Sequence, residues 1–132
     1  MEKTSIIKSV SFEYGVIELR SDDILTYKPA KEFKTFSLEL VKAAVEILIE
    51  VTEENPKLYV CDIRHFNKNA DSETKSYIEK TLPQYATACA VLEKSAIIAH
   101  ATHLFLHFYK PKLPFKLFQS SEKAIDWLKS LN

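Results

Sequence analysis

Gly15 is the only glycine among the 132 residues of this chain, where an average protein of the same length would have roughly nine. Phosphate-binding loops and the sharp turns that present a catalytic serine need glycine, because the backbone bends tightly there and lies close to the ligand. The chain therefore lacks these nucleotide-binding and hydrolase motifs. Since no other motif points to a reaction, we expect a protein that is not an enzyme and that carries no cofactor.

Short apolar runs alternate with longer amphipathic segments along the sequence. Two runs at 6–10 and 14–19 read as a β-hairpin, and residues 24–34, with Pro29 and three lysines, read as a connecting loop. Because strands and helices alternate beyond that point, we expect one α/β domain spanning residues 1–132, with a mixed, mostly parallel sheet of about five strands and four helices. The further elements are expected as helices at about 35–54, 71–82, 95–110 and from 121 onward, and as strands at 57–63, at 85–92 (where a helix is the alternative, and which Glu93 ends) and at 113–118.

Charge, apolar run lengths and cysteine positions indicate the kind of partner and the cellular compartment. The 18 basic and 18 acidic residues cancel, which argues against binding nucleic acid through positive charge. The N-terminus has no apolar run of signal-peptide length, and no stretch reaches the length of a membrane-spanning helix. Cys61 and Cys89 lie in apolar runs and are expected to be buried free thiols. These features together predict a cytoplasmic protein that is not transmembrane.

The C-terminal third has a pattern that resembles a known family. Residues 113–118 combine proline, hydrophobic and basic positions and end in phenylalanine, and residues 121–128 form an amphipathic segment that ends in Trp127 and Leu128. Upstream, residues Tyr59 to Arg64, at the end of the strand predicted at 57–63, finish in an Asp-hydrophobic-Arg sequence. Together these features resemble SpoIIAA-like proteins, which are related to the STAS domains of anti-sigma-factor antagonists and, more distantly, to lipid-binding SEC14-type domains.

This resemblance implies a SpoIIAA-like (STAS-type) fold and a small regulatory or interaction module without a reaction. Such a module would bind a protein partner or a second copy of itself, as a homodimer. The more distant relationship implies an alternative, in which the protein carries or senses an apolar small molecule or lipid in a hydrophobic pocket.

Ser72 is a candidate phosphoacceptor. It resembles in position the serine that regulatory STAS domains present for phosphorylation at a helix N-terminus, where free N–H groups and the helix dipole favour a phosphate. Asp71 and Glu73 flank it, however, and would repel that phosphate. We therefore prefer the interpretation that Ser72 caps the N-terminus of the helix.

Asp62, Arg64 and His65 form a second candidate site. They follow the predicted central strand, and α/β proteins often bind ligands at the carboxyl ends of their strands. An acid, a base and a fixed cation could meet there. No partner nucleophile is identifiable in the sequence, so the preferred interpretation is an ion pair that holds the loop.

The helix predicted at 95–110 is apolar over more than half of its circumference, although a helix packed on one sheet face needs only slightly more than about 100°. We expect the excess to be covered by an identical subunit or to bound an apolar pocket; burial by neighbouring loops is the alternative. The residues expected in such an interface or pocket are Ile98, Thr102, Phe105, Leu106 and Tyr109.

Three histidines lie on the same predicted helix. His103 and His107 are four residues apart, a spacing that suits two imidazoles on one metal ion. The metalloprotease motif needs glutamate directly after the first histidine, and here that residue is Leu104. No acidic residue or cysteine nearby is an obvious third ligand. We therefore expect a hydrated helix face rather than a metal site.

Overall fold

The computed structural model describes residues 4–94 and 113–131, and these residues form a sheet of six strands in the order β1-β2-β3-β4-β5-β6. The strands are β1 (Ile6–Phe12), β2 (Gly15–Arg20), β3 (Ile24–Pro29), β4 (Lys57–Asp62), β5 (Ala86–Leu92) and β6 (Phe115–Phe118). The helices of the described residues are α1 (Leu38–Thr52), α2 (Ser72–Thr81) and α3 (Ser121–Ser130), and a 3₁₀ turn, Leu82–Gln84, follows α2.

The sheet is mixed, as the sequence predicts. β1, β2 and β3 pair antiparallel because only short turns join them. β3, β4, β5 and β6 pair parallel, with α1 crossing from β3 to β4 and α2 from β4 to β5. The predicted α/β class and mostly parallel sheet are therefore confirmed, with six strands instead of about five and three helices instead of four among the described residues. The helix predicted at 95–110 lies outside those residues.

The single glycine has a structural role at the start of β2. Gly15 pairs with Pro29 of β3 and has a φ angle of +137°, which side-chain-bearing residues rarely adopt. A Cβ atom at this position would overlap the carbonyl oxygen of Lys28 and lie 2.8 Å from Pro29 Cα. Glycine is therefore required because β3 approaches the β2 backbone too closely for any side chain.

Helices α1 and α2 cover one face of the sheet, which we call the α1/α2 face. Ser37 begins α1, since its side chain accepts a hydrogen bond from the Leu40 amide at 3.2 Å. The helix ends at Glu53, which adopts a left-handed conformation before Asn55 and Pro56. The α1 side chains buried towards the sheet include Leu40, Val41, Ala44, Val45, Leu48 and Val51.

Helix α3 covers part of the opposite face, which we call the α3 face. Ala124 and Leu128 are fully buried there. Their neighbours on the sheet are Ile24, Leu58, Val60, Ala88, Ala90 and Leu92. Because β4 and β5 are covered on both faces, their sequences are apolar without alternation, as expected for central parallel strands.

The prediction of a loop at 24–34 is wrong for its first half, which forms β3 in the middle of the sheet. Ile24 is buried on the α3 face, and Leu25 and Tyr27 are buried on the α1/α2 face. Pro29 is tolerated because it is the last residue of the strand. The segment 85–92, for which the sequence left strand and helix open, forms strand β5 (Ala86–Leu92).

Candidate functional site

A cavity of about 110 Å³ lies between the α1/α2 face of the sheet and the two helices that cover it, and we call it the sheet–helix cavity. Its walls come from β3, β4, β5 and β6 on one side and from α1 and α2 on the other. The described residues that line it are Tyr27, Phe36, Val41, Ala44, Val45, Leu48, Tyr59, Cys61, Ile63, Phe66, Lys68, Asn69, Ala70, Lys75, Ile78, Leu82, Tyr85, Cys89, Val91, Glu93 and Phe115.

The period of the β-strand explains why these sheet residues reach the cavity. Every second side chain points to the same face, so Tyr59, Cys61 and Ile63 line the cavity from β4 and the residue after it. Cys89 and Val91 do the same from β5, and Glu93 continues the series directly after that strand. Alternate positions on the two central strands therefore form the middle of the sheet side of the cavity.

Polarity changes along the cavity in the strand direction. Leu48, Leu82 and Tyr85 are buried and line the end near the start of β5. At the other end lie Glu93, which is 1% exposed, and Lys68, which is exposed. The cavity thus has an apolar inner end and a polar end at the carboxyl ends of β4 and β5, where α/β proteins commonly bind ligands.

Two loops meet above the polar end. The Lys34 carbonyl accepts hydrogen bonds from the amides of Asn67 and Lys68, at 2.9 and 3.2 Å. The rings of Phe36 and Phe66 meet edge to face, with their centroids 4.9 Å apart. These contacts hold the loop after β3 against the loop after β4, so that both phenylalanines line the cavity.

The thiols and phenols of the cavity are protonated at neutral pH. The pKa of Cys61 is raised to about 12, mainly by burial; a hydrogen bond with Tyr59 opposes this rise, and the charges of Asp62 and Glu93 add to it. Burial also holds the pKa of Cys89, Tyr59 and Tyr85 well above their usual values. Because the thiolate is the reactive form of cysteine, these thiols act as apolar lining.

The predicted strand-end residues do not line the cavity. Asp62 and Arg64 bind each other through two hydrogen bonds of 3.0 and 2.8 Å. The His65 ring contacts the Ala30 carbonyl oxygen at 3.1 Å through Nε2 and meets Phe66 edge to face. The arrangement matches the ion pair preferred from the sequence. Of the lining residues, Ile63 lies between Asp62 and Arg64 in the chain, and Phe66 directly follows His65.

The Asp62–Arg64 pair gives a pH-dependent prediction. Burial alone would raise the pKa of Asp62, but hydrogen bonds from the Arg64 side chain and backbone lower it below its usual value. A carboxyl whose folded pKa is lowered stabilises the fold above its unfolded pKa and loses that contribution as the pH falls. Arg64→Gln should therefore cost up to about 1 kcal/mol at neutral pH. Urea denaturation should show this difference shrinking in acid; a difference that is constant with pH would contradict the prediction.

Ser72 is the first residue of α2 rather than its N-cap. The N-cap is Asp71, whose side chain accepts a hydrogen bond from the Thr74 amide at 2.8 Å. The interpretation of Ser72 as the cap is therefore corrected, because the carboxylate one residue earlier already satisfies this amide. Ser72 is exposed, and its role as a phosphoacceptor stays a prediction.

Substitutions at these two neighbouring positions should have different effects. Asp71→Ala should lower the melting temperature by a few degrees, because the first turn of α2 loses its acceptor. Ser72→Ala should leave the melting temperature almost unchanged. Thermal unfolding followed by circular dichroism measures both, and a larger loss in Ser72→Ala would show that the hydroxyl, not the carboxylate, caps the helix.

The predictions for the segment 95–110 fall outside the described residues. They concern the interface or pocket residues Ile98, Thr102, Phe105, Leu106 and Tyr109 and the helix face with three histidines. Within 4–94 and 113–131, no group of three His, Cys, Asp or Glu side chains is placed to hold a metal ion. In that same part of the chain, none of the helices has the length and apolar character needed to cross a bilayer.

The strand order and the helices on both faces define the class of this protein, which has a SpoIIAA-like fold. A solved structure of an uncharacterized protein of the DUF3478 family from Shewanella loihica PV-4, described as having a SpoIIAA-like fold, is similar to this chain with a TM-score of 0.60. The two share 14% sequence identity, over 95% of this chain and 93% of that one. At this identity the likeness shows the fold alone, and it confirms the fold that the sequence resemblance implies.

The chain belongs to the family described as "Domain of unknown function (DUF7793)", whose family model matches residues 17–132. No curated protein matches the sequence.

Proposed function

We propose that this protein binds a small, mostly apolar molecule in the sheet–helix cavity and acts in the cytoplasm as a carrier or sensor of that molecule, not as an enzyme. The observation that carries this proposal is the cavity itself. Well-packed protein interiors contain few voids larger than a water molecule. The sheet–helix cavity, by contrast, has a volume of about 110 Å³ and is lined mainly by aliphatic and aromatic side chains.

The chemistry of the lining supports binding over catalysis. Cys61 and Cys89 are the cysteines of the wall, and burial keeps both thiols protonated. Apolar walls with a few polar groups at one end are typical of small-molecule sites. Both cysteines are free and buried, which fits a reducing compartment.

The alternative of a regulatory module that binds a protein partner or forms a homodimer depends on the apolar segment 95–110. That segment lies outside the described residues, so this alternative stays a prediction. The sheet–helix cavity favours the small-molecule function because its walls are mainly apolar and its polar groups lie at one end.

Toluene is a suitable first probe for the cavity. An apolar cavity of about 150 Å³ accepts benzene, so a single ring matches the volume available here. We expect toluene to shift the amide NMR signals of cavity residues and to raise the melting temperature, by an amount equivalent to about 2.7 kcal/mol at a hundred times the dissociation constant. No response to toluene would contradict the proposed function.

Filling the cavity provides the matched test. Ala44 is buried on α1 and lines the cavity, whereas its neighbour Ala43 is half-buried and does not line it. Ala44→Leu should abolish the toluene response, and Ala43→Leu should keep it. Cys89→Leu fills the cavity from the opposite wall and serves as a second variant should Ala44→Leu fail to fold. Toluene binding unchanged in a folded filling variant would place its site elsewhere.

A further inference from the structure

The cavity volume limits the size of a ligand. A space of about 110 Å³ is somewhat smaller than the cavity of about 150 Å³ that holds one benzene molecule. A single ring or a short branched chain fits this space, whereas a long acyl chain does not. The part of the ligand that lies inside the cavity is therefore compact, and any longer part would have to extend past the exposed Lys68 and Asn69 at the polar end.

Glu93 is the buried charged residue among the described lining residues. It is 1% exposed, and its amide donates a 2.8 Å hydrogen bond to the Phe118 carbonyl. This bond continues the β5–β6 pairing by one residue and fixes the backbone of Glu93 at the polar end of the cavity. The two lysines that line the same end are more accessible to solvent than Glu93, since Lys68 is exposed and Lys75 is half-buried.

A buried carboxylate selects for hydrogen-bond donors. Its two oxygens offer about four acceptor positions, so it can accept from a ligand as well as from protein groups. Hydrogen bonds to a charged group are stronger than those between neutral groups. An anionic ligand group placed directly against the Glu93 carboxylate would be repelled by it, whereas Lys68 and Lys75 at the same end would attract that group.

Resting on the proposed function, we infer that the ligand of the sheet–helix cavity has a compact apolar body and one hydrogen-bond donor, an ammonium or hydroxyl group, which binds the Glu93 carboxylate. The apolar body lies against Tyr59 and Cys89 on the sheet. The donor lies at the polar end of the cavity, where β4 and β5 end. The ligand is therefore oriented with its apolar body towards the inner end and its donor towards Glu93.

Four single-ring probes test this inference: toluene, benzyl alcohol, benzylamine and benzoate. Their dissociation constants are measured by NMR titration on the wild type, on Glu93→Met and on Glu93→Gln. The affinity of each polar probe is divided by that of toluene on the same variant, which cancels differences in hydration between variants. Toluene itself reports whether each variant keeps an intact cavity.

For benzyl alcohol and benzylamine, this ratio should fall at least about tenfold from the wild type to Glu93→Met. Glu93→Gln keeps a hydrogen-bond acceptor but loses the charge. Its affinity ratio for benzyl alcohol should therefore fall less from the wild-type value than its affinity ratio for benzylamine. Glu79→Gln is the charge-matched control, because Glu79 lies on α2 outside the cavity lining, and it should leave all ratios unchanged.

The outcomes separate the two proposals. If no probe binds, the proposed function itself fails. If toluene binds but the ratios do not change in Glu93→Met, the cavity binds ligands and the role of Glu93 is wrong. If benzoate binds most tightly, the lysines at the polar end select an anion, and the inference is overturned.

Discussion

Gly15→Ala should destabilise the protein by about 3–5 kcal/mol, a large part of the stability of a domain of this size. The added methyl group would meet the carbonyl oxygen of Lys28 and the backbone of Pro29, neither of which can move away as a flexible side chain would. The φ angle of +137° adds strain for any residue with a Cβ. Chemical denaturation of the purified variant measures the effect, and a variant found only in the insoluble fraction agrees with it.

Val16→Ala is the control for this substitution. Val16 is the next residue of β2 and is 36% exposed, so its truncation should cost about 1 kcal/mol or less. A Gly15→Ala protein as stable as Val16→Ala would show that β3 does not approach β2 as closely as described.

Leu128→Ala should cost about 2–5 kcal/mol, because it removes a fully buried side chain from the α3 face and leaves a cavity. Small residues, Ala88 and Ala90, lie opposite on β5 and cannot fill that space. At its C-terminal end the helix also forms an ion pair of Lys129 with Asp22, at 3.2 Å, in which the Lys129 side chain is half exposed; such pairs contribute about 1 kcal/mol or less. Denaturation curves should show the loss.

Leu131→Ala is the matched control at the end of the same helix, where the side chain is 42% exposed. It should change the stability by less than about 0.5 kcal/mol. Leu128→Ala should also leave the toluene affinity of the folded protein unchanged, because the sheet separates Leu128 from the sheet–helix cavity. A large change in that affinity would contradict the assignment of binding to the α1/α2 face.

The last helix, strand β4 and the β1–β2 hairpin could be predicted from the sequence, because each depends on residues within one short segment. The last helix begins at a serine cap, since the Ser120 hydroxyl accepts from the Lys123 amide, and it buries Leu128 as its apolar pattern indicates. Strand β4 reads as a buried parallel strand because both of its faces are covered. The hairpin of β1 and β2 also follows the sequence pattern. These features are encoded within one segment each.

The residues around Pro29 show where such signals fail. Proline and three lysines suggest a loop, yet Tyr27 is buried and its hydroxyl donates to the Tyr14 carbonyl at 2.9 Å. Burial of this strand depends on β2 and β4 pairing on either side of it. Neither contact is visible in residues 24–29 alone.

The sequence by itself determined the class of fold, the mixed sheet and the absence of glycine-dependent sites, because periodicity, caps and composition are properties of contiguous residues. Only the tertiary structure decided the site. Glu93 reads in the sequence as the end of a strand, and Cys61 and Cys89 as core thiols, yet all three line one cavity. That cavity exists because two helices and the sheet meet without filling the space between them, and such packing depends on residues far apart in the chain.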